Sequence, residues 1–375
     1  MTRYRNTWAE IDIHAIRHNV EHLRRLLPKG RKVMGVVKAD GYGHGSVAIA
    51  KTLVEMDIDH LMVAYLEEAI HLRKHGITVP VLVIGRVSPS DVQVAIEHDI
   101  TLAVSQREWI EQALAEQING RLNIHIEFET GFNRTGVRSL TDITNIVDFV
   151  KASEDRVIIT GAYTHFATAD DIKSTHYVKQ KKTYEQMLAY LSERYDQPII
   201  THIGNSAAGI QYPEQMKQYT RFGVSLYGLY PSPAIKRLNK VELKQAFSLY
   251  SELIEVKHIS QGEYVSYGNT YEAEADEWIG TIPIGYADGW PRSLQGFHVL
   301  VDGKQQEIVG RICMDMLMVR LDKKYAIGEK VTLIGRNKDA VITMDDVAEY
   351  LNTINYEIPC MITSRVPREY INENV

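Results

Sequence analysis

The segment VVKADGYGHG, residues 36–45, begins as an apolar run and then passes through a lysine into small and polar residues. The apolar residues predict a buried strand that ends at Lys38, and Gly41, Gly43 and Gly45 predict a sharp turn after it. Partial burial at a strand end would lower the pKa of a lysine and free its amine for a Schiff base or for proton abstraction. Taken alone, Lys38 is more simply explained as a side chain that extends from a strand end into water.

Similar apolar runs recur along the first 230 residues and alternate with helical patterns. Apolar residues on one helical face from Ile13 to Leu26 predict the first helix, with Asp12 as its cap and Pro28 beyond its end. The runs that read as strands are 33–38, 60–65, 80–84, 100–104, 123–128, 157–163, 199–203 and 222–227. Eight Val-, Ile- and Leu-rich strands that alternate with helices predict a (β/α)8 barrel, an α/β fold of the TIM type, with a doubly wound open sheet as the rival.

The composition of the sequence changes near residue 230. The segment YPSPAIKRLNKVE contains two prolines and several charged residues, which predicts a linker. Strand candidates follow at 248–259, 316–320 and 330–334, Asp302-Gly303 predicts a tight hairpin, and a helix capped by Thr343 is predicted at 344–352. We therefore predict two domains, a barrel over residues 1–240 and a mostly β domain over residues 241–375.

Composition and charge narrow the class of protein. The chain has 375 residues, 45% of them hydrophobic, and a net charge of -6, which gives no reason to expect a nucleic acid or an anionic membrane as partner. No apolar run approaches the roughly 20 residues that span a bilayer, and the N-terminus lacks the apolar core of a signal peptide. Two cysteines provide neither a disulfide framework nor a zinc site. The expectation is a soluble, cytoplasmic protein without a bound metal.

Polar residues follow the later strands of the predicted barrel, on the face where barrel enzymes carry their active sites. His165 follows the sixth strand, Asn205 and Ser206 follow the seventh, and Arg221 with Gly223 and Val224 lies at the eighth. Singly, these residues have plain structural explanations, as a buried histidine, a helix cap or a packing glycine. Loops after the last two strands often bind phosphate, however, and a lysine amine beside a phosphate site is what pyridoxal 5'-phosphate requires.

Several motifs together resemble the alanine racemase family. They occur in the family's order and span nearly the whole chain: VVKADGYGHG with Lys38, THFATAD with His165, Asn205 to Ala208, RFGVSLYG with Arg221, VSYGNTY with Tyr267, GYADGWPR from Gly285 to Arg292, Cys313-Met314-Asp315, and INYE with Tyr356. The lysine motif followed by SYG and CMD is highly specific as a set.

The resemblance implies a homodimer in which the barrel binds pyridoxal 5'-phosphate and the β domain completes the partner's site. Lys38 then corresponds to the lysine that carries the cofactor, and Arg221 faces the pyridine nitrogen with support from His165. The implied phosphate and cofactor contacts are Tyr42, Asn205, Ser206, Tyr356 and the amides of Gly223 and Val224. The implied substrate contacts are Arg134 and the Met314 backbone for the carboxylate, with Tyr286 along the corridor that substrate follows.

The implied chemistry suits these residue types. Racemisation removes a proton from one face of Cα and delivers one to the other, so it needs two bases on opposite sides of the cofactor. Lys38 matches one base and Tyr267 of the partner subunit the other, although a phenol with a pKa near 10 needs cationic neighbours or hydrogen bonds to act as a base near neutrality. Arg221 stays protonated and so leaves the pyridine nitrogen unprotonated, which favours racemisation over transamination.

One position departs from the family pattern beside Arg134. Seven residues before that arginine the family usually has a lysine, often carbamylated, whereas this chain has Glu127. We expect the Glu127 carboxylate to replace the carbamate as the anion that orients Arg134, with a water or a small shift filling the remaining gap. Glu129 and Phe132 also differ, standing where the family usually has aspartate and methionine.

The sequence is therefore read as that of an enzyme that interconverts L- and D-alanine and, in a bacterium, supplies D-alanine for peptidoglycan. The nearest rival is a racemase of another or broader amino acid range, such as serine. A related barrel decarboxylase would place an acidic residue at the pyridine nitrogen instead of Arg221. A non-catalytic protein that binds pyridoxal phosphate would typically be the barrel alone.

Overall fold

The computed structural model describes residues 4–372, which divide into two compact units. The barrel unit comprises Ile16–Gly41 and Ser46–Lys244. The β unit comprises the described N-terminal residues up to Ala15, the short segment Tyr42–Gly45, and the chain from Gln245 onward. None of the helices within residues 4–372 is long and apolar enough to cross a membrane.

The first strand of the chain belongs to the β unit, although the sequence analysis included it in a barrel domain of residues 1–240. Strand β1 (Thr7–Asp12) pairs antiparallel with residues 247–251 and parallel with residues 368–371. Both partners lie more than two hundred residues further along the chain, so the local sequence pattern carries no sign of the pairing. The compact units thus begin the barrel at Ile16, just inside the first helix.

The barrel itself is a closed ring of eight parallel strands, which confirms the predicted fold. Its strands are β2 (Lys32–Val36), β3 (Leu61–Val63), β4 (Val81–Val83), β5 (Ile100–Val104), β6 (Leu122–Glu127), β7 (Val157–Tyr163), β8 (Ile200–Gly204) and β9 (Tyr219–Phe222). Most of their residues are buried on both faces, which explains the nearly continuous apolar runs in the sequence.

Helices separate these strands along the chain. They are α1 (Ile13–Leu26), α2 (Lys38–Tyr42, a single left-handed turn), α3 (Ser46–Glu55), α4 (Leu66–Lys74), α5 (Val92–Glu97), α6 (Arg107–Ala115), α7 (Leu140–Lys151), α8 (His176–Arg194), α9 (Ser206–Gln211) and α10 (Pro233–Arg237). Short 3-10 helices lie at Pro89–Asp91, Pro213–Gln215 and Val224–Tyr227. Helix α1 has the predicted bounds. Its predicted apolar face is buried, with Ile13, Ile16, Val20 and Leu23 in the core.

The eighth predicted strand is displaced in the structure. The sequence analysis placed it at 222–227, whereas β9 ends at Phe222 and Val224–Tyr227 forms a fully buried 3-10 helix. A short apolar run is compatible with a buried strand or a buried helical turn, because periodicity does not separate the two at this length. Gly223, with φ -113° and ψ -100°, is the residue at which the chain leaves the strand.

The β unit is built mainly from one mixed ten-stranded sheet. Its strands after β1 are β10 (Phe247–Glu252), β11 (Glu255–Ile259), β14 (Glu277–Ile282), β15 (His298–Val301), β16 (Lys304–Val309), β17 (Leu317–Leu321), β18 (Lys330–Asn337), β19 (Ala340–Ile342) and β20 (Arg368–Ile371). Strands β12 (Tyr264–Val265) and β13 (Tyr271–Glu272) form a separate pair. The unit also contains helices α11 (Met344–Tyr350) and α12 (Glu357–Met361) and 3-10 helices at Tyr267–Asn269, Tyr286–Asp288 and Arg292–Leu294.

Two local predictions for the β unit are confirmed. Asp302 and Gly303 have φ values of 53° and 80° and connect β15 to β16 in a two-residue hairpin turn. Thr343 caps α11, because its hydroxyl accepts a hydrogen bond from the Asp346 amide at 3.1 Å while the Asp346 carboxylate accepts from Thr343 in return.

Asn19, a buried polar residue of α1, ties that helix to the end of the barrel unit. Its amide nitrogen donates to Leu226 O at 3.0 Å and Lys244 O at 2.8 Å, and its oxygen accepts from Lys244 N at 2.7 Å. We expect Asn19→Ala to lower the free energy of unfolding by about 2 kcal/mol, because it leaves buried backbone groups unpaired. Denaturant unfolding measures this, with the exposed amide variant Gln112→Ala as the control; equal effects of the two variants would contradict the assignment.

Candidate active site

Lys38 opens a left-handed turn at the C-terminal end of the first barrel strand. Strand β2 ends at Val36, two residues earlier than predicted, and Ala39, Asp40 and Gly41 all have φ and ψ near +50°. The Gly41 amide donates to Val37 O at 2.9 Å and closes the turn. Left-handed conformation costs a residue other than glycine about 1–2 kcal/mol, so the surrounding structure must hold this turn in place.

Two carboxylates hold the Lys38 turn. Glu68 of α4 accepts hydrogen bonds from the Ala39 amide at 2.6 Å and, through its other oxygen, from the Ala64 amide at 2.7 Å and the Tyr65 amide at 3.1 Å. Asp40 accepts from the Ser46 amide at 2.7 Å, which begins α3. Glu68 thereby fastens the Lys38 turn to the end of the neighbouring strand β3.

Arg221 on β9 is the most extensively bonded side chain at this end of the barrel. It is 4% exposed, and its Nη1 lies 2.7 Å from His202 O and 3.1 Å from His202 Nδ1. Its Nη2 lies 2.8 Å from Thr164 O, 3.3 Å from His165 Nδ1 and 3.4 Å from Ile203 O. These acceptors account for the four Nη hydrogens, while the Nε–H makes no hydrogen bond to the described residues. The guanidinium thus keeps one donor for a further acceptor.

The groups around Arg221 are held in defined charge states. Burial lowers the pKa of Arg221 to about 10, so the guanidinium is protonated at neutral pH. Burial first, and then the positive charges of Arg221, Arg134 and Lys38, lower the pKa of His165 well below its ordinary value. His165 is therefore a neutral imidazole whose Nδ1 accepts from Arg221. The positive charges of Arg221, Arg134 and Lys38 thus all act on this one imidazole.

Ser206 and Gly223 bring a hydroxyl and an amide together at the ends of β8 and β9. The Gly223 amide donates to Ser206 Oγ at 3.0 Å, and Val224 begins the 3-10 helix whose first amides lack partners within that helix. Asn205 has a structural task here: its Oδ1 accepts from the Ala208 amide at 3.0 Å and its nitrogen donates to Phe166 O at 3.4 Å. The structure therefore presents Ser206, Gly223 and Val224 side by side, with Asn205 as the cap that fixes α9.

Glu127, at the end of β6, is buried and 6% exposed. Its carboxylate accepts from Thr135 Oγ1 at 2.7 Å, and the ion pairs among residues 4–372 do not include one with Arg134. Glu127, Arg134 and Thr135 instead line one cavity of about 270 Å³. The predicted pairing of Glu127 with Arg134 thus stays a prediction, with a water or a small shift filling the gap between the two groups.

The loop that carries Arg134 is shaped by the two other residues that depart from the family pattern. Burial raises the pKa of Glu129, but hydrogen bonds from backbone amides of residues 131–134 outweigh it and hold that pKa below its usual range. The Phe132 ring lies 4.5 Å from the Arg134 guanidinium and meets His165 edge to face at 5.3 Å. Phe132 therefore connects Arg134 to the histidine that contacts Arg221.

The remaining predicted site residues lie in the β unit. The Tyr42 and Tyr356 rings are 6.3 Å apart. The pKa of Tyr42 is raised well above its ordinary value, mainly by burial and secondly by the neighbouring Tyr356. The Tyr286 amide donates to Cys313 O at 3.1 Å, which joins the Tyr286 segment to the one that carries Met314. Tyr267, Tyr286 and Met314 are 71%, 42% and 52% exposed. The roles predicted for these five residues stay predictions.

The sequence analysis missed three residues of the barrel site. Glu68, His202 and Tyr163 were not singled out, yet Glu68 holds the Lys38 turn and His202 bonds to Arg221 through both its ring and its carbonyl. The Tyr163 ring stacks on the His202 ring with 4.7 Å between the centroids. Burial is the main cause that raises the pKa of Tyr163 well above its usual value, and the Glu127 carboxylate is the second. The signal that could have found His202 is its position inside the seventh strand, three residues before the motif Asn205 to Ala208 that holds Ser206.

Two family models match the chain: alanine racemase, N-terminal domain, over residues 11–231, and alanine racemase, C-terminal domain, over residues 246–370. An alanine racemase of Geobacillus stearothermophilus is 48% identical over 366 residues, which cover 97% of this chain and 93% of that protein. An alanine racemase of Halalkalibacterium halodurans is 49% identical over 375 residues, covering 99% of this chain and 96% of that protein.

Solved structures of alanine racemases are also similar to this chain over nearly its whole length. The crystal structure of alanine racemase from Bacillus anthracis with bound L-Ala-P has a TM-score of 0.97 and 40% identity, and covers 100% of this chain and 97% of that one. The crystal structure of alanine racemase from E. faecalis has a TM-score of 0.92 and 41% identity, and covers 98% of each chain.

The Glu68 carboxylate provides a direct test of how the Lys38 turn is held. Glu68→Gln turns one of its acceptor oxygens into a donor that faces a backbone N–H, so we expect hydrogen exchange in the peptide containing Ala39 to accelerate about tenfold. Hydrogen–deuterium exchange with mass spectrometry measures this. Glu67→Gln, at the neighbouring exposed position, is the control, and equal exchange in the two variants would rule out the role of Glu68.

Proposed function

Because the chain belongs to the alanine racemase family, we propose that it is a pyridoxal 5'-phosphate-dependent enzyme that interconverts L-alanine and D-alanine. The observation that carries the cofactor assignment is the donor arrangement of Arg221. Its Nη groups are engaged by the barrel, and its Nε–H remains for an acceptor such as an unprotonated pyridine nitrogen.

The other barrel residues also suit this cofactor. The Ser206 hydroxyl and the Val224 amide are donors for a phosphate, and the Gly223 amide would join them by exchanging its present partner, Ser206 Oγ, for a phosphate oxygen. The charges of Arg221, Arg134 and Lys38 that act on His165 favour an anion nearby. Lys38 supplies the amine that holds the cofactor. On the sequence resemblance we assign Tyr42, Asn205 and Tyr356 to the same site. Asn205 contributes to it by capping α9, the helix that begins with Ser206.

Pyridoxal 5'-phosphate, when bound, withdraws electrons from the substrate Cα and makes its proton removable. Arg221 keeps its own proton and donates a hydrogen bond, so it does not protonate the ring nitrogen. That limits how far charge spreads onto the ring and favours return of a proton to Cα. Arg221 therefore supports racemisation over transamination.

Two proton-transfer groups serve the two faces of Cα in this proposal. Lys38 Nζ moves the proton on one face, and the phenol of Tyr267 from the partner subunit moves it on the other. The 71% exposure of Tyr267, together with that of Met314 and Ile354, supports an assembly in which the β unit of one chain meets the site of another. We propose a homodimer for this reason.

The substrate carboxylate is assigned to Arg134 and the Met314 amide, with Tyr286 on the path of access. Arg134 lies on the loop that Glu129 shapes, and its guanidinium stacks on Phe132. Glu127 supplies the nearby negative charge, held by Thr135.

In a bacterial cytoplasm the D-alanine formed would enter peptidoglycan. The direct test of the function is solvent-deuterium exchange at Cα of alanine, serine and larger amino acids; preferred exchange of serine would replace alanine as the substrate.

Removal of the Lys38 amine tests the cofactor assignment. We expect Lys38→Ala to lose the visible absorption band of the lysine-bound cofactor and to lower the racemisation rate by a factor on the order of 10³ or more. Absorption spectra and a D/L-alanine assay measure the two effects. The exposed-lysine variant Lys51→Ala should retain both, and a Lys38→Ala protein with an unchanged band would overturn the assignment.

Removal of the Tyr267 hydroxyl tests the assignment of two bases. Tyr267→Phe should slow incorporation of solvent deuterium starting from one enantiomer of alanine about 10²- to 10⁴-fold, with a smaller effect on exchange through the Lys38 face. Mass spectrometry of each enantiomer measures the asymmetry. Tyr264→Phe, three residues earlier and also exposed, is the matched control, and equal losses from both enantiomers would contradict a base on each face.

A further inference from the structure

Two buried histidines continue the hydrogen-bond chain of Arg221 into the barrel interior. His125 on β6 and His202 on β8 are 3% and 0% exposed, and His125 Nδ1 lies 2.9 Å from His202 Nε2. These strands are not neighbours, because β7 lies between them in the ring. The two imidazoles therefore meet inside the barrel, as interior side chains from alternate strands do.

Gly161 on the intervening strand β7 provides the space for this contact. It pairs with His125 across the sheet, and a Cβ placed on it would come within 2.6 Å of the His125 ring. Any larger residue at this position would push the imidazole away from His202. The barrel thus contains a gap shaped for the His125 ring.

The direction of the hydrogen bonds follows from Arg221. Its Nη1 is always a donor, so the His202 Nδ1 that faces it at 3.1 Å must be an acceptor. Burial and the neighbouring Arg221 charge lower the pKa of His202 well below its usual value, so the ring is neutral and its single proton lies on Nε2. That N–H donates to His125 Nδ1, and the proton of a neutral His125 then lies on its own Nε2.

His125 ends the chain at a cavity on the opposite end of the barrel from Lys38. The cavity, of about 230 Å³, is lined by His125 together with residues at or near the N-terminal ends of strands, among them His60, Pro80, Asp99, Asn123 and Ile200. A cavity of this size whose lining includes polar residues such as His60, Asp99 and Asn123 admits water, which can accept from the His125 Nε2–H. Burial lowers the pKa of His125 to about 3, so the ring remains neutral and keeps this donor.

We propose that His125 is a positioning residue for Arg221: by accepting the His202 Nε2–H, it stabilises the tautomer and the ring orientation of His202 that Arg221 requires. Without an acceptor at this point, the buried Nε2–H of His202 would be unpaired in the tautomer that accepts from Arg221, and the His202 ring would gain by turning towards another partner. Arg221 would then shift or lose a partner. The proposal rests on the proposed function only in taking Arg221 as the group that faces the cofactor ring.

A set of three variants separates this role from simple packing. His125→Leu removes the acceptor, His125→Asn keeps an oxygen close to the position of Nδ1, and Gly161→Ala leaves the histidine in place but displaces its ring. We expect His125→Leu to lower kcat for alanine about ten- to a hundredfold, with KM changed less than about threefold. His125→Asn should remain within about threefold of the wild-type kcat, and Gly161→Ala should fall between the two.

Two readouts do not depend on turnover. The absorption maximum of the bound cofactor should shift in His125→Leu and Gly161→Ala but not in His125→Asn, because it reports the hydrogen bond to the ring nitrogen. In wild-type protein labelled with ¹⁵N-histidine, NMR should show His202 with an unprotonated Nδ1 and a protonated Nε2. Thermal unfolding of each variant identifies any that fail to fold. If one fails, the variants that do fold, together with the NMR experiment on the wild-type protein, decide whether His125 has the proposed role.

The outcomes distinguish this inference from the proposed function. A wild-type protein that binds no pyridoxal phosphate or does not exchange alanine would overturn the proposed function, whereas the NMR result would still test the tautomer. A wild-type protein that racemises alanine, together with a His125→Leu variant of unchanged kcat and spectrum, would overturn the role of His125. Equal losses in His125→Leu and His125→Asn would also overturn it, and so would a His202 proton found on Nδ1.

Discussion

The need to bury the charge of Arg221 governs the arrangement of the barrel site. A guanidinium inside a protein is tolerated only where acceptors meet its hydrogens, and the ends of β7 and β8 provide the carbonyls of Thr164 and His202 for this purpose. The two imidazoles beside it must stay neutral, since a second buried cation would be repelled. One buried charge thus determines the protonation of its neighbours and the direction of the hydrogen bonds behind them.

The sequence predicted the barrel well because its strands are buried on both faces and form clear apolar runs. Seven of the eight predicted runs overlap the strands closely, and the eighth failed in register, since Val224–Tyr227 is a buried 3-10 helix whose composition resembles a strand. The membership of β1 could not be read from local pattern at all. Its partners, β10 and β20, lie at the far end of the chain, and no periodicity within six residues records them.

The candidate site shows the same division between local and distant information. Lys38, Ser206, Gly223 and Arg221 stand at strand ends within recognisable motifs, and the structure brings the last three to one end of the barrel with Lys38 close enough to affect His165. Glu68 and His125 act through contacts with residues 29 and 77 positions away. A glutamate on a helix and a histidine within a strand carry no distinguishing local signal, so only the folded chain reveals what they hold.

The position of β1 has a consequence for how this chain can be divided. β1 lies between β10 and β20 and bonds to both, so a fragment that ends after the barrel, near residue 244, would retain β1 with both of its edges bare. Tyr42–Gly45 would likewise be separated from the Pro359 backbone against which Gly43 packs. Bare strand edges recruit other chains and promote aggregation. Attempts to express the barrel by simple truncation, or to exchange it between relatives, would therefore have to remove or re-pair the N-terminal strand as well.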